Sequence, residues 1–119
     1  MAFLSKADIL AASDLLSEEV RVPEWNGAVL VRGLTGAQRD EFEASVVVGK
    51  GASRDVNIKN LRAKLVALSV VDESGALVFG EADVKALGDK SAVALQRVFE
   101  VAQRLSGLSG ADVEELSKN

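Results

Sequence analysis

Val20-Arg21-Val22-Pro23-Glu24-Trp25-Asn26-Gly27-Ala28-Val29-Leu30-Val31-Arg32 is the stretch that decides the fold. Asn26-Gly27 between two apolar runs is a strong hairpin signal, because a type I′ turn needs φ > 0 at both central residues. With a two-residue turn, Val20, Val22, Val29 and Val31 share one face, while Arg21, Pro23, Trp25, Leu30 and Arg32 share the other. The valine face reads as core. On the second face Arg21 stands opposite Arg32, and like charges directly across an antiparallel pair are destabilising. Either Glu18, Glu19 or the exposed side of a neighbouring helix answers them within the chain, or Arg21, Pro23, Trp25, Leu30 and Arg32 form a protein-binding patch, since Trp and Arg dominate interface hot spots. A four-residue turn with Trp25 and Ala28 inside it would keep the strand pairing and loosen Trp25.

Outward from the hairpin the signals turn helical. Ser5-Lys6-Ala7-Asp8 resembles a capping box and opens a short helix over 6–12, before the hairpin at 19–33. Thr35-Gly36-Ala37-Gln38 is a second capping box, predicting a helix over 36–48 with Phe42 and Val46 on its buried side. The glycine-rich stretch 49–55 suits a flexible loop, and its glycine spacing does not match a phosphate-binding loop. Ile58, Leu61, Leu65 and Leu68 follow helical spacing within a central helix over 57–71. Asp72-Glu73-Ser74-Gly75 reads as a turn and Ala76–Phe79 as an extended return whose pairing stays open. Gly80 caps a short helix over 81–87, with Phe79 stapled to Val84. The clearest amphipathic helix spans 91–106, with Ala94, Leu95, Val98, Phe99, Val101, Ala102 and Leu105 on one face. Gly107 and Leu108 close it, and a last helix covers 110–117. The expected architecture is one mainly helical α+β domain, 1–119, with an N-terminal β-hairpin packed on four to six helices.

Composition narrows the chemistry. The 119 residues carry a net charge of −4 and no block of basic residues, which argues against a nucleic-acid partner. There is no cysteine, histidine or tyrosine, so thiol chemistry, thiolate zinc sites and the commonest general base are excluded. No apolar run approaches the roughly 20 residues of a membrane span, and the N-terminus lacks the pattern of a signal peptide. Asp40, Glu41 and Glu43, or Glu114 and Glu115, are the carboxylate groupings that acid/base or metal chemistry would use, and they read as solvated helix faces. No cofactor, no metal site and no enzymatic activity is expected.

Val22-Pro23-Glu24-Trp25-Asn26-Gly27, Val31-Arg32-Gly33-Leu34-Thr35-Gly36, Arg39-Asp40 and Phe42-Glu43 resemble the tail assembly chaperones of long-tailed bacteriophages, particularly those infecting actinobacteria. Asn60–Val66 and Arg97–Ser109 share the likeness, which extends over nearly the whole chain. The resemblance implies a non-enzymatic protein of the host cytoplasm, absent from the mature virion. It would bind the tape measure protein and keep it soluble and assembly-competent until the tail tube polymerises. Further implied partners are copies of itself or a frameshifted longer form, and the tail tube protein. Lys118-Asn119 can be encoded within a slippery heptamer of the kind such frameshifting uses. The competing readings are a structural virion protein, such as a head-tail connector or tail-completion component, and a carboxylate-dependent enzyme.

Overall fold

Pro23 ends the first strand, and that resets the register of the hairpin. A computed structural model of the chain describes residues 3–48, 55–56 and 60–108. In it β1 (Ser17–Val22) pairs antiparallel with β2 (Gly27–Arg32), placing Val22 opposite Gly27 and Val20 opposite Val29. Proline has no N–H for a ladder and fixes φ near the helical value, so Pro23–Trp25 form a 3-10 turn. Asn26 takes the left-handed conformation at φ 55°, and its N–H donates to Pro23 O at 3.0 Å. Gly27 is not at positive φ, so the expected type I′ turn at Asn26-Gly27 does not form. The loop is 23–26, two residues earlier than the four-residue alternative at 25–28.

The pairing has slid by four residues along β2, an even number, so every strand side chain keeps its face. Val20, Val22 and Val31 are buried as the alternation requires. The cross-strand neighbour changes: Arg21 faces Ala28 and Arg32 faces Ser17. The expected Arg21–Arg32 confrontation does not occur.

α2 (Gly36–Val46) starts from the Thr35 box, where Thr35 Oγ1 accepts from Gln38 N at 3.1 Å and Gln38 Oε1 accepts from Thr35 N at 3.0 Å. Phe42 and Val46 are fully buried. The chain then turns extended: β3 (Val47–Val48) pairs with β4 (Asp55–Val56), so the helix is shorter than the expected 36–48, and Asp55 belongs to a strand. The rest of the predicted loop, residues 49–54, lies outside the described residues.

α3 (Leu61–Ser69) is the central helix, packed against α2, α4 and α5. It stops two residues before the expected end because Val70-Val71 leave it as β5, pairing with Val31 and Leu30 of β2. β-branched side chains suit that exchange, and it covers what would otherwise be a bare strand edge. The resulting sheet has the order β1-β2-β5. The return at 76–78 does pair, through a Val71–Leu77 bridge.

Gly80 N donates to Asp83 Oδ2 at 2.8 Å, opening a 3-10 turn over Glu81–Asp83 that runs into α4 (Val84–Gly88). α5 (Ala92–Leu105) lies across the valine face of the sheet and against α3. Ala94, Leu95, Val98, Phe99 and Ala102 are buried beneath it, and large side chains in such positions contribute about 2 kcal/mol each. Its end is a complete Schellman motif: Leu108 N donates to Gln103 O, Gly107 N to Arg104 O, and Gly107 sits at φ 73°. Leu108 is buried there. The helix expected at 110–117 lies outside the described residues. Before the hairpin, α1 (Lys6–Ala11) carries the expected Ser5–Asp8 capping box and buries none of its residues.

Candidate functional site

With α5 covering one side of the sheet, the other side is left open. Antiparallel pairing brings Glu19, Leu30, Val71 and Leu77 into one row across it. Leu30 is half-buried, Val71 buried and Leu77 42% exposed. Ala28, Leu30 and Val71 floor a shallow hollow of about 690 Å³ whose other walls include Glu19, Asp72 and Glu73. An apolar floor with acidic walls fits an apolar segment flanked by cations.

Of the five residues expected to form a patch, the structure keeps Arg21, Leu30 and Arg32 on this face and separates the other two. Pro23 lies in the hairpin loop and is exposed. Trp25, in the same loop, packs against the hydrophobic core, so it is not a neighbour of Leu30 on the open surface. Arg32 spends its guanidinium on the turn, with Nη1 donating to Gly75 O at 3.1 Å. Arg21 is exposed and forms no ion pair among the described residues.

Of the two acidic residues expected to answer those arginines, Glu19 lines the hollow and Glu18 is taken by α5, as is Glu24 in the hairpin loop. Glu18, on the valine face, accepts from Arg104 at 2.9 Å, and Glu24 accepts from Arg97. Arg97 and Arg104 are seven residues apart, two turns along one side of α5, so the two pairs tie the start of β1 and the loop that follows it to that helix. The hydrogen bond from Arg97 holds the Glu24 carboxyl below its ordinary value. At the turn, the Ser74 hydroxyl and then the Ala76 and Ser74 N–H groups lower Asp72 in the same way. These are compensated surface carboxylates with structural work.

Asp40 and Glu41 are exposed on α2, and Glu43 pairs with Arg39 at 3.0 Å. Among the described residues no three acidic side chains converge as a metal cluster would need. Glu114 and Glu115 lie outside them. Among the described residues no helix is long and apolar enough to cross a membrane.

The sequence reading missed the segment before β1. Phe3 is 99% exposed, and Leu4, Ile9, Leu10 and Leu16 are all more than half exposed, with Leu15 at 37%. The signal was present in the sequence: apolar pairs Phe3-Leu4, Ile9-Leu10 and Leu15-Leu16 recur every six residues, the last two each preceded by an aspartate. Only burial reveals that nothing among the described residues covers them. Single exposed apolar side chains are ordinary, whereas six in one arm are not.

Comparison with known proteins agrees with this architecture. A family model described as phage tail assembly chaperone matches residues 6–119. The fold is similar to a solved structure from bacteriophage HK97, described as its tail assembly chaperone, with a TM-score of 0.57 and 20% identity over 81% of this chain and 92% of that one. No curated protein sequence matches the chain significantly.

Proposed function

The chain belongs to the phage tail assembly chaperone family, and from that premise we propose that it binds the tape measure protein and keeps it soluble before the tail tube polymerises. The family match over 6–119 carries the reading. The fold is the mainly helical α+β fold of the HK97 chaperone, with five α-helices among the described residues beside the three-stranded sheet.

The open sheet face is the docking surface in this reading. A helix about 10 Å wide would lay an apolar stripe on Leu30 and Ala28, with lysines or arginines against Glu19, Asp72 and Glu73. Many such weak contacts along a rod hold it through avidity, so no single site has to bind tightly. Action in the host cytoplasm, absence from the finished virion and a frameshifted longer form belong to the same proposal.

Co-expression with the tape measure protein tests it. The client stays in the soluble fraction with the native chain and is lost from it with Leu30→Asp, while the variant itself still melts cooperatively. A client equally insoluble with and without the native chain overturns the chaperone reading. Equal protection by native and Leu30→Asp chains removes only the surface assignment. Recovery of the chain from purified particles by mass spectrometry favours a structural virion role instead.

A further inference from the structure

The apolar floor of the open sheet face continues past β5. Val71 pairs with Leu77, and residues paired across an antiparallel bridge present their side chains on the same side. Val71 floors the hollow, while Leu77 walls a second depression, a groove of about 470 Å³ between α3 and the segment 77–85. Leu68, Phe79 and Val84 give the groove the rest of its apolar lining, and each is only partly buried. Leu68 stands three residues before Val71, where α3 passes into β5. An apolar path therefore runs from Leu30 over Val71 and Leu77 to Phe79 and Leu68.

The two ends of this path differ in charge. Glu19, Asp72 and Glu73 wall the hollow, and among the described residues no lysine or arginine lines it. None of the three carboxylates forms an ion pair among the described residues. The groove carries Lys64 and Lys85 beside Glu41 and Glu81. Lys64 lies one turn before Leu68 on α3, farther from the sheet, and its Nζ donates to Ser45 O at 3.0 Å. Lys85 forms no ion pair among the described residues. A ligand with cations along its whole length would suit the hollow and meet the groove lysines as like charges. Cations at one end and carboxylates at the other suit both. From Glu19 to Leu77 the row crosses about 14 Å at ordinary strand spacing, and the groove adds about 8 Å, the separation of packed helices. A helix of about four turns, roughly 22 Å, covers that length.

We propose that hollow and groove are two halves of one client site, which seats an amphipathic helix in a single orientation. Its apolar stripe lies on Leu30, Leu77 and Phe79, its lysines or arginines face Glu19, Asp72 and Glu73, and its carboxylates face Lys64 and Lys85. The reversed helix sets like charges together at both ends and is rejected. The inference rests on client binding at the open sheet face and adds to it the groove, the length of the bound segment and its charge pattern.

Photo-crosslinking in the co-expressed complex tests the site. Ala28 in the hollow and Ala82 in the groove are both exposed, and each is replaced in turn in the full chain, Ala28→p-benzoylphenylalanine or Ala82→p-benzoylphenylalanine. Mass spectrometry of the adducts is expected to place both attachments in one helical client segment, about three turns apart, with its lysines or arginines towards the Ala28 attachment. Leu77→Asp is expected to lower the yield from both positions while the chain still melts cooperatively. Should Leu77→Asp fail to fold, Lys64→Glu with Lys85→Glu lowers the yield from Ala82 severalfold. Attachment of Ala28 to the client with Ala82 bound to nothing, or only to another copy of this chain, overturns the proposal and leaves the chaperone reading intact. So do attachments in unrelated client segments, or a segment with no charge difference between its ends. A client insoluble beside the native chain overturns the chaperone reading and this inference with it.

Discussion

Gly33 lies directly against the backbone of Leu105: a Cβ at Gly33 would fall 2.4 Å from Leu105 O and 3.0 Å from its carbonyl carbon. The end of β2 and the end of α5 therefore touch main chain to main chain. One residue on, Leu34 N donates to Ser106 Oγ at 3.0 Å. The seam fixes how α5 lies over the valine face.

Gly33→Ala must push that seam apart, since the atom in the way is backbone and not a movable side chain. A loss of about 2 kcal/mol is expected, the usual scale of overpacking a tight contact. Urea denaturation followed by circular dichroism measures it. A variant as stable as the native chain would mean the seam yields freely.

Ser106→Ala leaves the buried Leu34 without its hydrogen-bond acceptor. An unsatisfied N–H in such a place costs about 1 to 2 kcal/mol. The Tm should fall, and Ser106→Thr, which retains the hydroxyl, should recover part of it.

Ser69 presents the opposite case. It is fully buried, and among the described residues its Oγ has no hydrogen-bond partner. Ser69→Ala removes a desolvated hydroxyl at little cost in packing, and a gain of about 1 kcal/mol is expected. A loss of stability would show that the hydroxyl is satisfied in solution.

Trp25 and Leu30 separate structure from binding. Trp25→Ala uncovers part of the core and should cost about 2 kcal/mol, below the range for a fully buried tryptophan. Leu30→Ala removes a half-buried side chain and should cost less while weakening retention of the client. Equal effects on melting would place Leu30 in the core.

Asp72 gives the acid side of the stability profile a defined sign. Its carboxyl is lowered from 3.8 by the Ser74 hydroxyl and neighbouring N–H groups, so the folded state favours the ionised form. That contribution is fully present above the unfolded value and is lost as pH falls through the lower folded one. Acid titration of Tm should therefore show the native chain's advantage over Asp72→Ala shrinking below about pH 4.

Much of this was legible locally. The two capping boxes, Phe42 and Val46 on the buried side of α2, the amphipathic face of α5 and the Gly107 cap all follow from short-range spacing. The valine face of the hairpin was legible too, because side-chain alternation survives an even shift of register. Three features were not. Pro23 moved the loop, Val70-Val71 left a helix to become a strand, and Trp25 turned inward.

The sequence by itself determined which residues cap, which alternate and which must be buried, since those depend on φ, ψ and hydrophobic period within a few residues. Tertiary structure decided which strand neighbours which residue and what remains uncovered. Val70-Val71 satisfies helical and extended patterns equally, and only the free edge of β2 chooses between them. The arm carrying Ile9-Leu10 has the apolar content of a core segment, and only the filling of the core by α3 and α5 leaves it outside.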